Sequence, residues 1–484
     1  MTDDSKYEAV CGRDARFDGE FFFAVTTTGI YCRPSCPATT PLRRNVRFFA
    51  TAAAAQGDGF RACMRCRPDA VPGSAEWNAR ADAVGRAMRL ISDGIVDREG
   101  VAGLAARLGY SARQVQRQLN ASVGAGPIAV ARAQRAHTAR ILLETTDMQA
   151  AEIAFAAGFS SVRQFNDTVR QIYAATPSRL RGAVGPADGT AGVPLRLAYR
   201  GPYAAAEVFD YLGNRAIDGI EELTGERGGR VYRRTLRLPR GTGIAEVGEA
   251  PQDGWLDCRL HLSDPRDLTT ATQRMRRMFD LDADPYAVGE RLATDPALAP
   301  LVARRPGLRA PGAADPHELA VRAVLGQQVS VAAGRKLGNA LVAAYGQRLP
   351  TPSGALTRLF PTADVLADAA LGELGMPESR RRTLRTLTAA LADGTVALDP
   401  GADRDLAETK LLGLRGIGPW TAGYLRMRAL GDPDVLLTGD VAVRAGMRYA
   451  GADTGDAEAW RPWRTYAMHH FWNAAADQRR ATRA

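Results

Sequence analysis

Residues 412–422 read LGLRGIGPWTA, and this stretch decides how the C-terminal half is interpreted. Helical patterns flank it, so Leu414, Gly416 and Gly418 fall in a short turn between two helices. Glycines in such a turn let the backbone approach a DNA phosphate, which amide groups and the N-terminus of the second helix then bind. The stretch predicts a helix-hairpin-helix that contacts DNA without reading its sequence, with Thr421 as a further contact residue in the second helix.

An acidic residue follows this hairpin in the loop Thr438-Gly439-Asp440, before a predicted helix over 441–449. A carboxylate in a short loop before a helix can point into a cleft beside the hairpin, so Asp440 is a candidate functional residue. Gly-Asp before a helix is also typical of a helix N-cap, and that alternative stays open.

Four of the six cysteines form two closely spaced pairs. Three residues separate Cys32 from Cys36, two separate Cys63 from Cys66, and 26 lie between the pairs. Each pair of thiolates can bind one side of a metal ion, as a tetrahedral zinc site requires. The spacing predicts one zinc ion bound by four cysteines rather than a disulfide framework. A purely structural role of that zinc is the alternative.

Residues 76–183 contain an internal repeat within a helical pattern. The segment GYSARQ at 109–114 recurs as GFSSVRQ at 158–164. In each copy an alanine-rich helix ends at glycine and a second helix begins at serine, which is typical of a helix-turn-helix rather than of a generic helical hairpin. The residues that lead the second helices, and that we expect in the DNA major groove, are Arg113, Gln114, Arg163 and Gln164.

The composition is that of a globular protein with several domains. The chain has 484 residues, more than one hydrophobic core usually organises, and 45% of them are hydrophobic. Its formal net charge is +10, and only three of its 63 lysine and arginine residues are lysines. This excess of arginine favours a phosphate-bearing partner, although codon usage can give the same excess. Because no long apolar run or signal segment occurs, we expect a cytoplasmic, nucleoid-associated location.

Residues 194–484 resemble the AlkA-type 3-methyladenine DNA glycosylases of the helix-hairpin-helix superfamily. The matching segments are VRAVLGQQVS (321–330), LGLRGIGPWTAGY (412–424), VLLTGDVAVR (435–444) and RPWRTYAMHHFW (461–472). The resemblance implies that Asp440 is the catalytic carboxylate and that an alkylated base flips into an aromatic pocket. The residues that match this pocket are Trp420, Tyr424, Trp472 and Gln327.

Two departures within this half refine the expectation. Gln328 matches the residue that fills the gap left by the flipped base, where the family often has an apolar side chain. Strand-cutting relatives carry a lysine nucleophile near the hairpin, but Trp420 stands at that position and no lysine follows Lys410. We therefore expect a monofunctional enzyme that uses water as the nucleophile.

Residues 1–183 resemble the N-terminal part of the Ada adaptive-response proteins. The matching segments are DGEFFFAVTTTGIYCRPSC (18–36) and GFRACMRCRP (59–68). The resemblance implies that Cys32, while bound to zinc, accepts a methyl group from a methylphosphotriester, and that the helix-turn-helix pair is of AraC type. Methylation lowers the negative charge of the zinc site, which would favour promoter binding and switch on transcription.

We therefore predict a multidomain, mainly α-helical protein. Its predicted parts are an α/β zinc sensor (1–75), an AraC-type paired helix-turn-helix domain (76–183), a small α/β unit (193–268) and a helical helix-hairpin-helix glycosylase core (269–484), with a linker over 182–192. We expect hydrolysis of 3-methyladenine and 7-methylguanine type bases, with alkylated and promoter double-stranded DNA and RNA polymerase as partners. The alternative is a DNA-binding regulator whose glycosylase half only recognises damage.

Overall fold

In the computed structural model, the described residues form two compact units. The described residues are 1–69, 71, 82–181, 192–250 and 254–481. The first unit comprises Met1–Arg200, Leu238–Gly243 and Gly254–Gln273, and the second comprises Gly201–Arg237, Ile244–Asp253 and Arg274–Ala484. The predicted fold class, mainly helical and multidomain with a small cysteine-rich α/β module, is confirmed. The predicted boundary near residue 75 and residues 182–191 of the predicted linker lie outside the described residues.

The first unit begins with a small four-stranded sheet. Its elements are α1 (Asp3–Cys11), β1 (Phe22–Val25), β2 (Ile30–Cys32), β3 (Val46–Phe49), α2 (Ala52–Gly57) and β4 (Arg61–Ala62). The strand order is β3-β1-β2-β4, and β1 runs antiparallel to both neighbours, with Phe23 opposite Cys32. Phe21, Phe23 and the four cysteines belong to one small cluster of buried residues, so this core includes the predicted metal site.

Helices over residues 83–180 form the predicted helix-turn-helix pair. They are α3 (Ala83–Ser92), α4 (Ile95–Leu108), α5 (Ala112–Val123), α6 (Pro127–Thr145), α7 (Ala150–Ala156), α8 (Val162–Tyr173) and α9 (Pro177–Leu180). Gly109 and Gly158 both have a positive φ, 77° and 88°, which permits the tight turn before the second helix of each copy. Ser111 and Ser161 then cap α5 and α8.

The predicted α/β region consists of antiparallel strands. They are β5 (Val193–Ala198), β6 (Glu221–Thr224), β7 (Val231–Arg237), β8 (Thr242–Gly248) and β9 (Trp255–Leu262). In the first unit β5 pairs with β9, and Leu195 lies opposite Cys258, which is a buried strand residue. In the second unit β6 pairs with β7, and Glu221 lies opposite Arg234.

Most of the second unit is helical. Its helices, of which the second begins in the first unit, are α10 (Ala205–Gly213), α11 (Leu268–Met278), α12 (Pro285–Leu292), α13 (Ala299–Arg304), α14 (Pro316–Leu325), α15 (Val331–Tyr345), α16 (Ala363–Ala367), α17 (Glu378–Ala392), α18 (Arg404–Leu412), α19 (Pro419–Arg428), α20 (Val441–Ala450) and α21 (Arg464–Ala481). A short hairpin of β10 (Arg348–Ser353) and β11 (Leu356–Arg358) follows α15. None of the described helices is long and apolar enough to cross a membrane.

Helix α19 contributes buried side chains to two apolar cores among the described residues. Leu425 belongs to a core with Leu341 and Leu384, whereas Met427 belongs to a second core with Trp460 and others from α20 and α21. Opposite faces of one helix are thus anchored in two clusters of buried side chains. This packing fixes the position of α19, whose N-terminal end follows the predicted hairpin.

Candidate active site and metal centre

The predicted hairpin connects α18 to α19 and depends on one glycine. Gly416 has a φ of +92°, and a Cβ there would lie 2.0 Å from Thr383 Oγ1. Gly418 caps α19 with a φ of −97°, and a Cβ there would meet no heavy atom within 4 Å, so space before the helix is open. Leu414 is half-buried and Thr421 is buried, whereas both glycines are exposed. A phosphate can therefore approach the backbone amide groups at these glycines, where no side chain stands in the way.

The Asp440 carboxylate caps a helix and also accepts hydrogen bonds from two tryptophan side chains. As the N-cap of α20, its Oδ1 accepts hydrogen bonds from the backbone N–H groups of Ala442 and Val443, each at 2.9 Å. The indole N–H of Trp420 donates to Oδ2 at 2.9 Å, and that of Trp472 donates to Oδ1 at 3.1 Å. Four donors from three parts of the chain fix the carboxylate in one orientation. The helix cap and a catalytic role, alternatives at the level of sequence, are compatible in this geometry.

Asp440 lies in a cleft of about 1980 Å³ within the second unit. The other predicted site residues that line it are Gln327, Gln328, Gly416, Gly418, Trp420, Thr421, Tyr424 and Trp472. The Trp420 ring stacks on Tyr424 with a centroid separation of 5.2 Å and an interplanar angle of 8°. Electron-rich rings beside a carboxylate suit a flat base that carries positive charge.

Two arginines lie over tyrosine rings near this stack, Arg428 over Tyr424 at 5.5 Å and Arg215 over Tyr211 at 3.7 Å from the ring centroid. Arg428 Nη1 donates to the Tyr424 hydroxyl at 2.7 Å, and the hydroxyl of Tyr211 lies 3.4 Å from that of Tyr424. Burial alone would raise the pKa of Tyr424, but the charges of Arg428 and Arg215 outweigh burial and lower this pKa to about 8. Burial raises the pKa of Tyr211 to about 12. The charge-assisted hydrogen bond from Arg428 fixes the Tyr424 ring that supports Trp420.

A buried histidine supports the other tryptophan. The ring of His469 meets that of Trp472 edge to face, with centroids 4.8 Å apart and an angle of 76°. Burial and the charge of Arg428 lower the pKa of His469 well below its usual value, so the imidazole is neutral near physiological pH. His469 therefore packs against Trp472 without adding a positive charge close to Asp440.

The turn between α14 and α15 brings two glutamines to the hairpin. Gln327 Nε2 donates to the carbonyl of Gly416 and to Thr421 Oγ1, both at 3.0 Å. Gln328 is exposed and has a φ of 57°, which is uncommon for a residue with a side chain. Gln327 thus ties this turn to the hairpin, and Gln328 stands beside the cleft. The roles expected of them, base contact and gap filling, stay predictions.

The four predicted metal ligands come together in the first unit. The sulfur atoms of Cys32, Cys36, Cys63 and Cys66 lie within 4.8 Å of one another, and all four residues are buried. A tetrahedral site with Zn–S bonds of about 2.3 Å places its sulfur atoms about 3.8 Å apart, which this cluster can match with small adjustments. Four thiols are also the donor set of structural zinc sites. The cluster therefore fits the single zinc ion that the sequence predicts.

A buried carboxylate organises the loop between the first two cysteines. Asp18 Oδ1 accepts from the backbone N–H of Ser35 at 3.0 Å, and Oδ2 accepts from the Ser35 hydroxyl at 2.6 Å. Arg33 Nη1 lies 3.2 Å from the same carboxylate. Burial raises the pKa of Asp18, and these contacts partly offset the effect. Asp18 therefore holds the loop that carries Cys32 and Cys36.

The predicted DNA-contacting residues in the first turn of the two recognition helices differ in whether their side chains are already hydrogen-bonded. Arg113 is exposed, and the side chain of Arg163 is 93% exposed. Gln114 Oε1 instead accepts from the backbone and hydroxyl of the serine that caps α5, at 3.0 and 2.8 Å. Gln164 Oε1 accepts from the hydroxyl of the serine before the cap of α8 at 2.9 Å. The two arginine side chains therefore extend into solvent, with Arg163 Nε 3.9 Å from Asp167 Oδ2, whereas the two glutamines serve the helix caps.

Several residues that build these sites were not among the sequence predictions. Tyr211, Arg215 and Arg428 support the aromatic stack, and Asp18 organises the cysteine loop. Tyr211 is far from Tyr424 in sequence, and no short motif announces that pairing. For Gln114 a signal existed, because Ser-x-x-Gln before an apolar helix is the pattern of a capping box.

Comparison with known proteins identifies the family. Residues 5–69 match the metal binding domain of Ada, residues 104–183 a helix-turn-helix domain, and residues 194–315 the AlkA N-terminal domain. A probable bifunctional transcriptional activator/DNA repair enzyme AlkA of Mycobacterium tuberculosis is 53% identical over 477 residues, which cover 96% of this chain and 95% of that protein. The chain belongs to this AlkA family.

Two further relatives each match part of this AlkA-family chain. DNA-3-methyladenine glycosylase 2 of Escherichia coli is 34% identical over 285 residues, which cover 57% of this chain and 95% of that enzyme. The bifunctional transcriptional activator/DNA repair enzyme Ada of Escherichia coli is 40% identical over 140 residues, which cover 29% of this chain and 38% of that protein. The predicted resemblance to an Ada-type front half and an AlkA-type back half is confirmed.

Proposed function

We propose that this chain hydrolyses the N-glycosidic bond of alkylated bases in double-stranded DNA, of the 3-methyladenine and 7-methylguanine type. We also propose that Cys32 accepts methyl groups from DNA methylphosphotriesters and that this switches on transcription. The observation that carries the first proposal is the carboxylate of Asp440, which two indoles and a helix N-terminus hold inside an aromatic cleft. The activities are assigned to a sensor (1–75), a helix-turn-helix domain (76–183), an α/β domain (193–268) and a glycosylase domain (269–484).

In the proposed excision step, the base rotates out of the duplex into the cleft. The stacked rings of Trp420 and Tyr424, with Trp472 on the other side of Asp440, attract a positively charged purine through their faces. An ordinary purine is neutral and gains less from these rings. The cleft therefore favours alkylated bases by electrostatics as well as by shape.

The bond between C1′ and the base nitrogen then breaks, and its electron pair leaves with the base. A cationic alkylated purine departs as a neutral molecule, so no general acid is required. Asp440 stabilises the positive charge that develops on the sugar, and its four hydrogen bonds keep it in place during the step. Water adds to C1′ and loses a proton, which leaves an abasic site in an intact strand.

The hairpin holds the duplex while this takes place. The exposed backbone at Gly416 and Gly418 and the N-terminus of α19 offer amide N–H groups to a phosphate. In this proposal Gln328 occupies the space that the flipped base leaves, which its exposed position beside the cleft supports. Because the backbone rather than side chains makes the main contact, binding is independent of DNA sequence.

In the proposed methyl transfer, Cys32, Cys36, Cys63 and Cys66 hold zinc. Bound zinc supplies positive charge that keeps the thiols deprotonated. The sulfur of Cys32 attacks the methyl carbon of a phosphotriester, the carbon–oxygen bond breaks, and the DNA phosphodiester leaves as an anion. The cysteine site loses one negative charge, which lessens its repulsion from DNA.

The helix-turn-helix pair would then bind promoter DNA more tightly and activate transcription. The exposed guanidinium groups of Arg113 and Arg163 lead α5 and α8 and suit base edges in the major groove. DNA is therefore the partner of both halves of the chain, and RNA polymerase is the partner that an activator needs.

The experiment that tests this proposal uses duplex DNA with methylated purines and methylphosphotriesters. Released bases are measured by chromatography, and the Cys32 peptide by mass spectrometry. We expect free 3-methyladenine and 7-methylguanine, and a persistent methyl group on Cys32. Methylation of Cys32 without base release would instead support a regulator whose glycosylase half only recognises damage.

A further inference from the structure

A buried arginine connects the cysteine loop to the strand that opens the AlkA-type region. Arg200 follows β5, and its side chain is 1% exposed. Its Nη2 donates to the carbonyl of Asp18 at 2.8 Å and lies 3.0 Å from Glu20 Oε1. The Asp18 side chain binds Ser35 and Arg33 in the loop between Cys32 and Cys36. Asp18 thus contacts the cysteine loop through its side-chain carboxylate, and it contacts Arg200 at the end of β5 through its backbone carbonyl.

A second buried junction joins the helix-turn-helix domain to the same AlkA-type region. Arg98 Nη1 donates to Thr270 Oγ1 at 2.7 Å, and the Thr270 hydroxyl donates to the carbonyl of Asp93 at 3.0 Å. Thr270 is 2% exposed and lies in the first turn of α11, directly after β9 and its short connection. Both junctions lie within the first compact unit, so the paired strands β5 and β9 are bound to the regulatory half at either end.

From these contacts we propose that the state of the four-cysteine site controls the stability of the β5–β9 pair. A buried guanidinium needs its acceptors, because an unpaired charge away from water is unfavourable. If the cysteine loop loosens or shifts, Asp18 moves and Arg200 loses an acceptor. The end of β5 then opens more often. Methylation of Cys32 and loss of zinc both change this loop, so both states are transmitted to the first strand of the glycosylase half.

This inference rests on the proposed function only for the methylation signal, since zinc removal tests the connection without any catalytic activity. The measurement is hydrogen–deuterium exchange of the full zinc-loaded chain, before and after removal of zinc with a chelator. We expect exchange over residues 193–200 to become about tenfold faster, as loss of one buried hydrogen bond to a charged group does to a local opening equilibrium. Strands β6 and β7, in the other unit, serve as the internal reference and are expected to keep their rates.

Two variants separate a specific connection from general loosening. Arg200→Gln is expected to speed exchange over residues 193–200 with zinc still bound, and chelation then adds nothing further there. Arg196→Gln removes the same charge from an exposed position of β5 and is expected to respond to chelation as the native chain does. Should Arg200→Gln not fold, Arg200→Lys keeps the charge toward Glu20 and is expected to weaken the response in part.

The proposal is overturned if chelation speeds exchange in β1 and β2 while residues 193–200 keep their native rate. It is also overturned if Arg200→Gln retains the full response to zinc removal. Stoichiometric methylation of Cys32, confirmed by mass, is expected to change exchange over residues 193–200 in the native chain but not in Arg200→Gln. A chain that takes up no methyl group refutes the proposed methyl transfer, whereas the chelation result stands on its own.

Discussion

Replacement of Asp440 by asparagine isolates the charge of the carboxylate from its structural position. In Asp440→Asn, the amide oxygen can still accept from Ala442, Val443 and Trp472, which all donate to Oδ1. The helix cap is therefore kept, because asparagine and aspartate cap helices about equally well. The amide nitrogen, however, faces the indole N–H of Trp420, so two donors oppose each other and the negative charge is gone.

The expected loss of rate follows from these two changes. Removal of one preorganised group that stabilises developing charge costs about 2.7–4 kcal/mol of transition-state stabilisation, or about 10²–10³ in rate. The lost hydrogen bond to Trp420 adds about 1 kcal/mol if the indole shifts away. We therefore expect single-turnover release of 7-methylguanine from methylated duplex to be about 10³-fold slower in Asp440→Asn.

A matched control is available on another helix. Asp284 caps α12 and is also half-buried, with its carboxylate accepting from the backbone of Tyr286 at 3.0 Å and of Ala287 at 3.1 Å. Asp284→Asn changes the same chemical group at a helix cap that does not line the cleft. It is expected to release bases at the native rate, and both variants should melt close to the native temperature. Release by Asp440→Asn within about threefold of native would refute the role of the charge, since such a change is worth less than 1 kcal/mol.

Three other outcomes can be measured on the same chain. Gly416→Ala forces a side chain onto a left-handed φ, which costs about 1–3 kcal/mol of strain in addition to a steric clash. Thermal stability and affinity for undamaged duplex should therefore both fall. Gly418→Ala, with open space around the new methyl group, should melt like the native chain. Cys32→Ser should abolish methyl uptake from DNA and lower the zinc content per chain, while Cys11→Ser, at an exposed cysteine outside the cluster, should change neither mass shift nor zinc content. Burial raises the pKa of Asp280 to about 6 from 3.8, so its stabilising contribution is complete below the unfolded pKa and is lost as pH rises through about 6. The unfolding free energy of the native chain should therefore fall by up to about 3 kcal/mol between about pH 4 and about pH 8, and Asp280→Asn should lack this part of the pH dependence. The same fall in both chains would contradict this.

Local motifs predicted much of this molecule correctly. The cysteine spacing predicted a cluster that the structure brings together, and the two glycine–serine turns predicted the helix-turn-helix pair. Gly416 was predictable because a tight hairpin needs a positive φ, and such a requirement appears in the sequence itself. In each case the residues that define the feature are close together along the chain, or their spacing reports a known coordination geometry.

Contacts between distant segments were beyond the reach of such motifs. The pairing of Tyr211 with Tyr424 and the bond from Arg200 to Asp18 each join residues separated by more than 180 positions. A tyrosine or an arginine has many possible partners, and only packing selects one of them.

Residue types and their spacing were enough to predict the kinds of chemistry in this chain, namely four thiols for a metal, a glycine hairpin for phosphate, and an aspartate ahead of a helix. Long-range packing was needed to show that Asp440 accepts bonds from two indoles that come from α19 and α21, and that Asp18 links the cysteine loop to the end of β5. This difference arises because spacing along a helix or turn constrains neighbours within a few residues. Orientation of a side chain toward a distant partner is fixed only when apolar cores pack the elements that carry them.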